Sequence, residues 1–353
     1  MLNLNPFTNQ IGLDISDFKM RFIQIDTKKK SKMSISSFGE IDVPKDHIIN
    51  GEIKNKESVI SLLKTLIEKP EYGKVEKKYV NASLSEKMTY IKVIEIPDVP
   101  ENELKGAVGW GIEQNIPIAL DQTFFDWQVI NKNEKNNKLR VLASVAPKNI
   151  VNTYTEVIKK AGLIPISLEN ESVAVTRSLI DQQKNINNSL LVIDIGRSRT
   201  SLIIFSHNTV QYTSTINVSG HEMTEAISNN LQLSYKDAEK AKIIYGLHQS
   251  KGRGAVRKSI SPILDRLLVK INENVNYFNE YMATKSKINT ALLTGSVSQT
   301  SGLTEYLQAK LKQTTILADP WTNLTILKGQ EELKERNFYP FATCIGLAIK
   351  KFD

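Results

Sequence analysis

The stretch LLVIDIGRSRTSLIIF, residues 190–205, constrains the fold of this chain more than any other. Two apolar runs flank a short polar turn, and Asp194 stands at the inner end of the first run. Apolar runs of this length read as strands, and the polar residues between them read as a tight hairpin. A weaker echo, IGLDISDFKMRFIQI, occupies residues 11–25 and puts Asp14 at the same point of the same pattern. One aspartate at one hairpin is ordinary turn chemistry. Two at like positions point to a duplicated unit whose two copies serve one site.

The rest of the chain supports a duplication. Residues 31–43 continue as a strand beyond the basic tip TKKKSK (27–32), which reads as a solvated hairpin end. Val59, Leu62, Leu63, Leu66 and Ile67 then recur at helical spacing. In the second half, three strands over 189–218 lead into helices, the first with Ser219 as N-cap and Glu222 three residues on. A long helix is expected over 261–282, and a closing helix around FATCIGLAIK. Strand blocks followed by helices, twice over, predict an α/β fold of two like-built halves around a cleft. Residues 87–147 have another texture: a strand, a helix with Leu104, Val108 and Ile112 ending at Pro117, then strand, polar loop and strand. They read as an inserted α+β subdomain. The expected division is 1–86 with 148–187, the insert 87–147, and 188–353 with a helical part at about 222–285.

Bulk properties exclude several classes. Net charge is +8 over 353 residues, but Lys and Asp/Glu are interleaved along most of the chain, so no nucleic-acid partner is expected. The single cysteine, Cys344, cannot form an internal disulfide, which fits a reducing compartment. The four histidines share no ligand spacing, so no zinc site is expected. No apolar window reaches membrane-span length, and the N-terminus lacks a secretory signal. The expectation is a cytoplasmic protein with no direct membrane insertion.

A phosphate site needs N–H groups and hydroxyls aimed at oxygen, and usually a divalent cation. Mg²⁺ keeps several waters and takes one or two carboxylates, a role suited to Asp14 and Asp194. Gly196 permits close backbone approach. Ser16, Ser198 and Thr200 are candidate hydrogen-bond partners for phosphate oxygens. A glycine turn in LLTGSV (292–297) offers Gly295 and Ser296 to a ligand's base or sugar. Glu169 and Glu171, between a strand and a helix, are candidate general bases or metal ligands. GRGAVRKS (252–259) has P-loop spacing, but Arg257 stands in place of the second glycine and no apolar strand precedes it.

Taken in order, these pieces resemble the actin-like ATPase superfamily, and within it the PilM family of type IV pilus assembly proteins. GLDIS (12–16) and VIDIG (192–196) resemble the two phosphate loops, with Ser16 where the family has glycine. The family's basic residue seven positions after the first aspartate falls on Arg21. ELKGAVGWGIEQNIPIALDQTFFDWQVI (103–130) resembles the family's inserted subdomain, and FATCIGLAIK (341–350) its last helix. TGSVSQTSGL (294–303) stands in place of a glycine-rich turn.

The resemblance implies a duplicated, ribonuclease H-like fold that binds ATP with Mg²⁺, with weak or absent ATPase activity. It implies a cytoplasmic scaffold recruited to the inner face of the cell membrane by the cytoplasmic tail of a PilN-like inner-membrane protein. The tail is expected in a groove between the first core subdomain and the insert, shaped by Trp110, Ile116 and Pro117. Self-association is compatible with such a fold. The alternatives are a division protein of the FtsA kind, which would end in a membrane-targeting helix, and a small-molecule kinase of the same fold.

Overall fold

The computed structural model describes residues 8–26, 33–133, 136–181, 189–282 and 288–352. The lysine tip at 27–32 lies outside these residues. The chain forms two compact units: Met1–Lys184 with Thr209–Gln211 and Pro320–Asp353, and Asn185–Asn208 with Tyr212–Asp319.

The first unit begins with β1 (Ile11–Ile15), β2 (Lys19–Asp26), β3 (Ser34–Asp42), β4 (Ile48–Ile49), β5 (Glu52–Ile53) and α1 (Lys56–Glu68). Next come β6 (Tyr72–Gly73), β7 (Tyr79–Leu84), β8 (Tyr90–Pro97), α2 (Glu101–Asn115), β9 (Thr123–Asn133) and β10 (Lys138–Pro147). α3 (Lys148–Lys160), β11 (Ile164–Asn170) and α4 (Glu171–Leu179) complete this part. The second sheet is built from β12 (Ser189–Ile195), β13 (Thr200–Ser206) and β14 (Thr209–Ile216), followed by α5 (Gly220–Leu231), α6 (Tyr235–Tyr245) and α7 (Ala255–Tyr281). β15 (Ile288–Thr294), α8 (Leu303–Leu311) and β16 (Thr314–Leu317) follow, and α9 (Ala342–Ala348) ends the chain's regular structure.

The two main sheets repeat one plan. Their orders are β11-β7-β1-β2-β3-β6 and β14-β13-β12-β15-β16. In each, a hairpin strand (β1, β12) pairs antiparallel with its successor and parallel with a later strand (β7, β15). The hairpins are in like register: Ile15 faces Met20, and Ile195 faces Thr200. Each loop is closed by the same bond, Ser16 N–H to Lys19 C=O at 3.1 Å and Gly196 N–H to Arg199 C=O at 2.8 Å. Asp14 and Asp194 therefore hold equivalent places in the two units.

Side-chain alternation sorts the faces of the first sheet. Ile11, Leu13 and Ile15 point to one face and pack on Val59 and Leu63 of α1 and Tyr154 and Val157 of α3. The other face receives α9, whose Cys344, Ile345 and Ala348 pack among Ile23, Ile25 and Phe38. The helix passes so near β1 that a Cβ at Gly12 would stand 1.9 Å from the Cys344 carbonyl oxygen. This contact corrects the expected boundary: residues 320–353 belong with the first unit, not the second half. In the second unit, Leu191, Ile193 and Ile195 of β12 pack beneath α5, α6 and α7. α7 also starts earlier than expected, at Ala255, and runs through Pro262. Its buried stripe already includes Val256 and Ile260, so core packing carries the helix across the proline despite the lost N–H.

The segment expected as an insert forms its own three-stranded sheet, ordered β8-β10-β9. α2 covers one face of it, with Val108, Ile112 and Ile116 set against Ile94, Ile96, Val141, Ala143 and Val145.

Candidate functional site

In the second unit, β12 and β15 run parallel and end side by side, with Asp194 in register with Thr294. The crevice beyond the carboxyl ends of such strands is where open α/β sheets place their ligands. Asp194 is half-buried there. Gly295 follows Thr294 with φ +91°, and a Cβ on it would lie 2.2 Å from Asp194 Oδ1. Only glycine lets this turn close over the carboxylate. The turn is braced by Val297 N–H donating to Ile195 C=O at 3.1 Å and by Ser298 Oγ donating to Gly295 C=O at 2.7 Å.

The Gly196 loop is braced as well. Gly220 N–H donates to Gly196 C=O at 2.9 Å, and His221 N–H to Arg197 C=O at 3.0 Å. The first N–H groups of α5 are thus used by the loop. Thr200 Oγ1 donates to Val218 C=O at 2.7 Å, so its proton is committed to the segment between β14 and α5. Ser198 and Ser296 are half-buried, and their hydroxyls make no hydrogen bond among the described residues.

Sequence reasoning missed two residues here. Lys242 is buried, with Nζ donating to Gly220 C=O (3.1 Å), Thr224 Oγ1 (2.7 Å) and Glu239 Oε2 (2.8 Å). Burial pulls its pKa down against the opposing pull of Glu239. The available signal was a lysine sharing the buried stripe of α6 with Ala238 and Ala241. The second is Thr294, fully buried, with a hydroxyl that has no partner among the described residues. A lone threonine at a strand end gave no signal in the sequence.

In the first unit, Asp14 is buried and its Oδ1 accepts a hydrogen bond from Ser83 Oγ at 2.7 Å. Ser16 Oγ donates to Lys19 C=O at 2.8 Å, doubling the bond that closes this loop. Arg21 Nε pairs with Glu40 Oε2 at 2.8 Å, and Lys19 Nζ with Glu40 Oε1 at 2.6 Å. Burial alone would raise the Glu40 pKa, but Arg21 and Lys19 hold it below the usual carboxylate range. The Arg21 charge is already matched by Glu40.

Glu169 is held likewise: Oε1 meets Arg177 Nη1 and Oε2 meets Lys350 Nζ, each at 2.8 Å. Both its oxygens face cations, which is the geometry of a structural counter-ion. Glu171, the first residue of α4, is half-buried and accepts the Glu86 N–H at 3.3 Å.

The residues of the second unit fit a hydrated Mg²⁺ with phosphate. Such an ion asks for one or two carboxylates and otherwise keeps its waters. Asp194, the glycine cradle at Gly295 and the unpartnered hydroxyls of Ser198, Thr294 and Ser296 match that demand. Among the described residues no three acidic, histidine or cysteine side chains gather as an all-protein metal cage.

The first unit also holds an open groove of about 340 Å³, with Phe124, Asp126, Ser144, Thr155, Lys159 and Leu168 among its lining residues. Phe124 and Asp126 come from β9, Ser144 from β10, Thr155 and Lys159 from α3, and Leu168 from β11. β9 and β11 are each an edge strand of their sheet. Trp110, Ile116 and Pro117 are not among the residues that line this groove. Ile116 is buried under α2, while Trp110 (65% exposed) and Pro117 face solvent. Strand alternation sets the face on which this groove lies. Val141, Ala143 and Val145 point toward α2, so Ser144 and Ala146 point to the opposite face of β10, where the groove runs.

A family model described as type IV pilus assembly protein PilM matches residues 12–352. Among solved structures, the chain is similar to a PilM-PilN type IV pilus biogenesis complex at 22% identity, covering 97% of this chain and 98% of that one, with TM-score 0.82. It is also similar to MreB5 of Spiroplasma citri bound to AMPPNP, at 14% identity over 96% and 94% of the two chains, with TM-score 0.53. The fold is thus the actin-like one. The cell division protein FtsA of Enterococcus hirae is 30% identical over 106 residues, 30% of this chain, so the match spans about a quarter (24%) of that relative's length. Among the described residues no helix is long and apolar enough to cross a membrane.

Proposed function

Because the chain belongs to the PilM family of type IV pilus assembly proteins, we propose that it is a nucleotide-binding scaffold that grips the cytoplasmic tail of a PilN-like inner-membrane protein. The observation that carries this reading is the groove of the first unit. It is open, mixed in polarity and flanked by two edge strands, which suits an extended segment more than a compact small molecule. The similar PilM-PilN complex supports a peptide partner of that kind. On this reading the protein works at the inner face of the cell membrane and is recruited there by the partner it holds.

Filling the groove tests it. Thr155→Arg places a long cation on the α3 wall and is expected to weaken a labelled tail peptide of the PilN-like protein at least about tenfold, by fluorescence anisotropy. Trp110→Ala, outside the groove, should bind as the unaltered protein does. Equal affinity for Thr155→Arg would overturn the groove assignment.

We further propose Mg²⁺–ATP as the nucleotide. When bound, it would supply a metal-bridged phosphate chain. Asp194 would hold the ion through its water shell, and Ser198 and Ser296 would donate to phosphate oxygens. Lys242, beside Gly220, braces the same loop through the Gly220 carbonyl, with its charge met by Glu239. Glu169 is engaged by two cations, which leaves Glu171 as the candidate base and favours weak or absent turnover over an enzyme's role. Asp194→Ala should reduce affinity for a fluorescent ATP analogue in Mg²⁺ at least about tenfold, since a charge-assisted contact is lost. An unchanged titration would remove Asp194 from the site.

A further inference from the structure

We infer that Thr294 is a further ligand-binding residue of the nucleotide site, with its hydroxyl engaged by the metal's water shell or by a phosphate oxygen. The inference rests on the nucleotide reading above and adds a residue that reading does not use.

Thr294 is 0% exposed, and its Oγ1 has no hydrogen-bond partner among the described residues. A buried hydroxyl left unpaired is destabilising, and native structures seldom tolerate one without a bound water, ion or ligand to satisfy it. Its place narrows what that partner is. Thr294 is the last residue of β15 and stands in parallel register with Asp194, which is in turn opposite Ser201 on β13. Side chains in register across a sheet share a face, so hydroxyl, carboxylate and hydroxyl form a row at the strand ends.

The next residue is Gly295, where a Cβ would collide with the Asp194 carboxylate and the Ile195 carbonyl. The backbone has therefore been shaped to bring the β15 turn against Asp194, and Thr294 comes with it. Two neighbouring hydroxyls are already committed, Thr200 to Val218 C=O and Ser298 to Gly295 C=O. Thr294 is a buried hydroxyl beside Asp194 that still has both a proton and lone pairs to offer. A metal-bound water can donate into its oxygen, and a phosphate oxygen can accept its proton.

Removing the hydroxyl should have two effects of opposite sign. In ligand-free protein, Thr294→Val deletes an unpaired buried group and should raise the melting temperature. In Mg²⁺, the same change should weaken the fluorescent ATP analogue about tenfold, the worth of one hydrogen bond in a buried site. Thr294→Ser keeps the hydroxyl and should keep the affinity. A purely structural threonine would shift the melting temperature and leave the titration alone. Unaltered protein that binds Mg²⁺–nucleotide while Thr294→Val binds it equally well overturns the inference and spares the nucleotide reading. No binding by the unaltered protein, with or without Mg²⁺, overturns both. Weakening in Mg²⁺ that disappears in EDTA assigns the hydroxyl to the metal's shell, and weakening in both assigns it to a phosphate oxygen.

Discussion

Glu169→Gln should destabilise the first unit by about 3 kcal/mol and abolish one step of its acid sensitivity. The carboxylate lies at the end of β11, with only 10% of its side chain exposed, and joins three elements of the unit. Arg177 comes from α4 and Lys350 follows α9. Arg177 Nη1 also donates to the Gly346 carbonyl at 2.9 Å, so the same cation ties α4 to α9 directly. Neutralising the glutamate leaves two buried cations facing each other across an amide. Breaking such a group by removing one partner costs about 3–5 kcal/mol, and the lower end applies because Arg177 and Lys350 keep about a fifth of their surface in water.

The pH dependence has a definite sign. Burial pushes the Glu169 pKa up, but the Arg177 and Lys350 charges outweigh it and hold the folded value below the ordinary 4.5. A depressed carboxylate pKa gives stability that is full above the unfolded value and lost as pH falls through the folded one. Urea unfolding followed between pH 7 and pH 3 should show the unaltered protein losing this increment below about 4.5. Glu169→Gln should start lower and decline less. Parallel curves for the two proteins would sink the assignment.

How far the sequence foretold this arrangement depends on which forces set each element. The two aspartate hairpins were legible because their pattern is local: an apolar run, a carboxylate and a turn, repeated in like register. The Ser219 cap was legible for the same reason, and its Oγ does accept the Glu222 N–H at 3.2 Å. What failed depended on contacts far apart in sequence. Nothing local says that the last helix packs against β1, because the constraint is the absence of a Cβ at Gly12 and Gly346. Trp110 was expected at a groove because its segment resembles the inserted subdomain of the PilM family. It lies on α2 away from the buried Val108 and Ile112, and the groove that the structure shows runs on the opposite face of β10. Glu169 looked like a base beside a helix start, but its two cations come from residues 177 and 350.

The helix crossing yields the second large effect, for Gly346→Ala. α4 and α9 meet through small residues, and a Cβ at Gly346 would stand 1.7 Å from the Ala174 carbonyl oxygen. The obstacle is backbone, which cannot rotate aside as a side chain would. The helices must separate, and separation also pulls α9 away from β1, where Gly12 meets the Cys344 carbonyl at a similarly close approach. Overpacking of this kind costs about 1–3 kcal/mol and occasionally more, and the upper end is expected because the clash is with a carbonyl. Arg177 adds to the loss, since its bond to the Gly346 carbonyl spans the same crossing. Gly106→Ala is the matched control. It lies in α2 with nothing within 4 Å of the added carbon, so the change should stabilise by about 0.5–1 kcal/mol through helix propensity alone. Thermal unfolding of the two single variants therefore moves in opposite directions from the unaltered protein. A melting temperature for Gly346→Ala equal to that of the unaltered chain would mean that the α4–α9 crossing is looser than this structure has it.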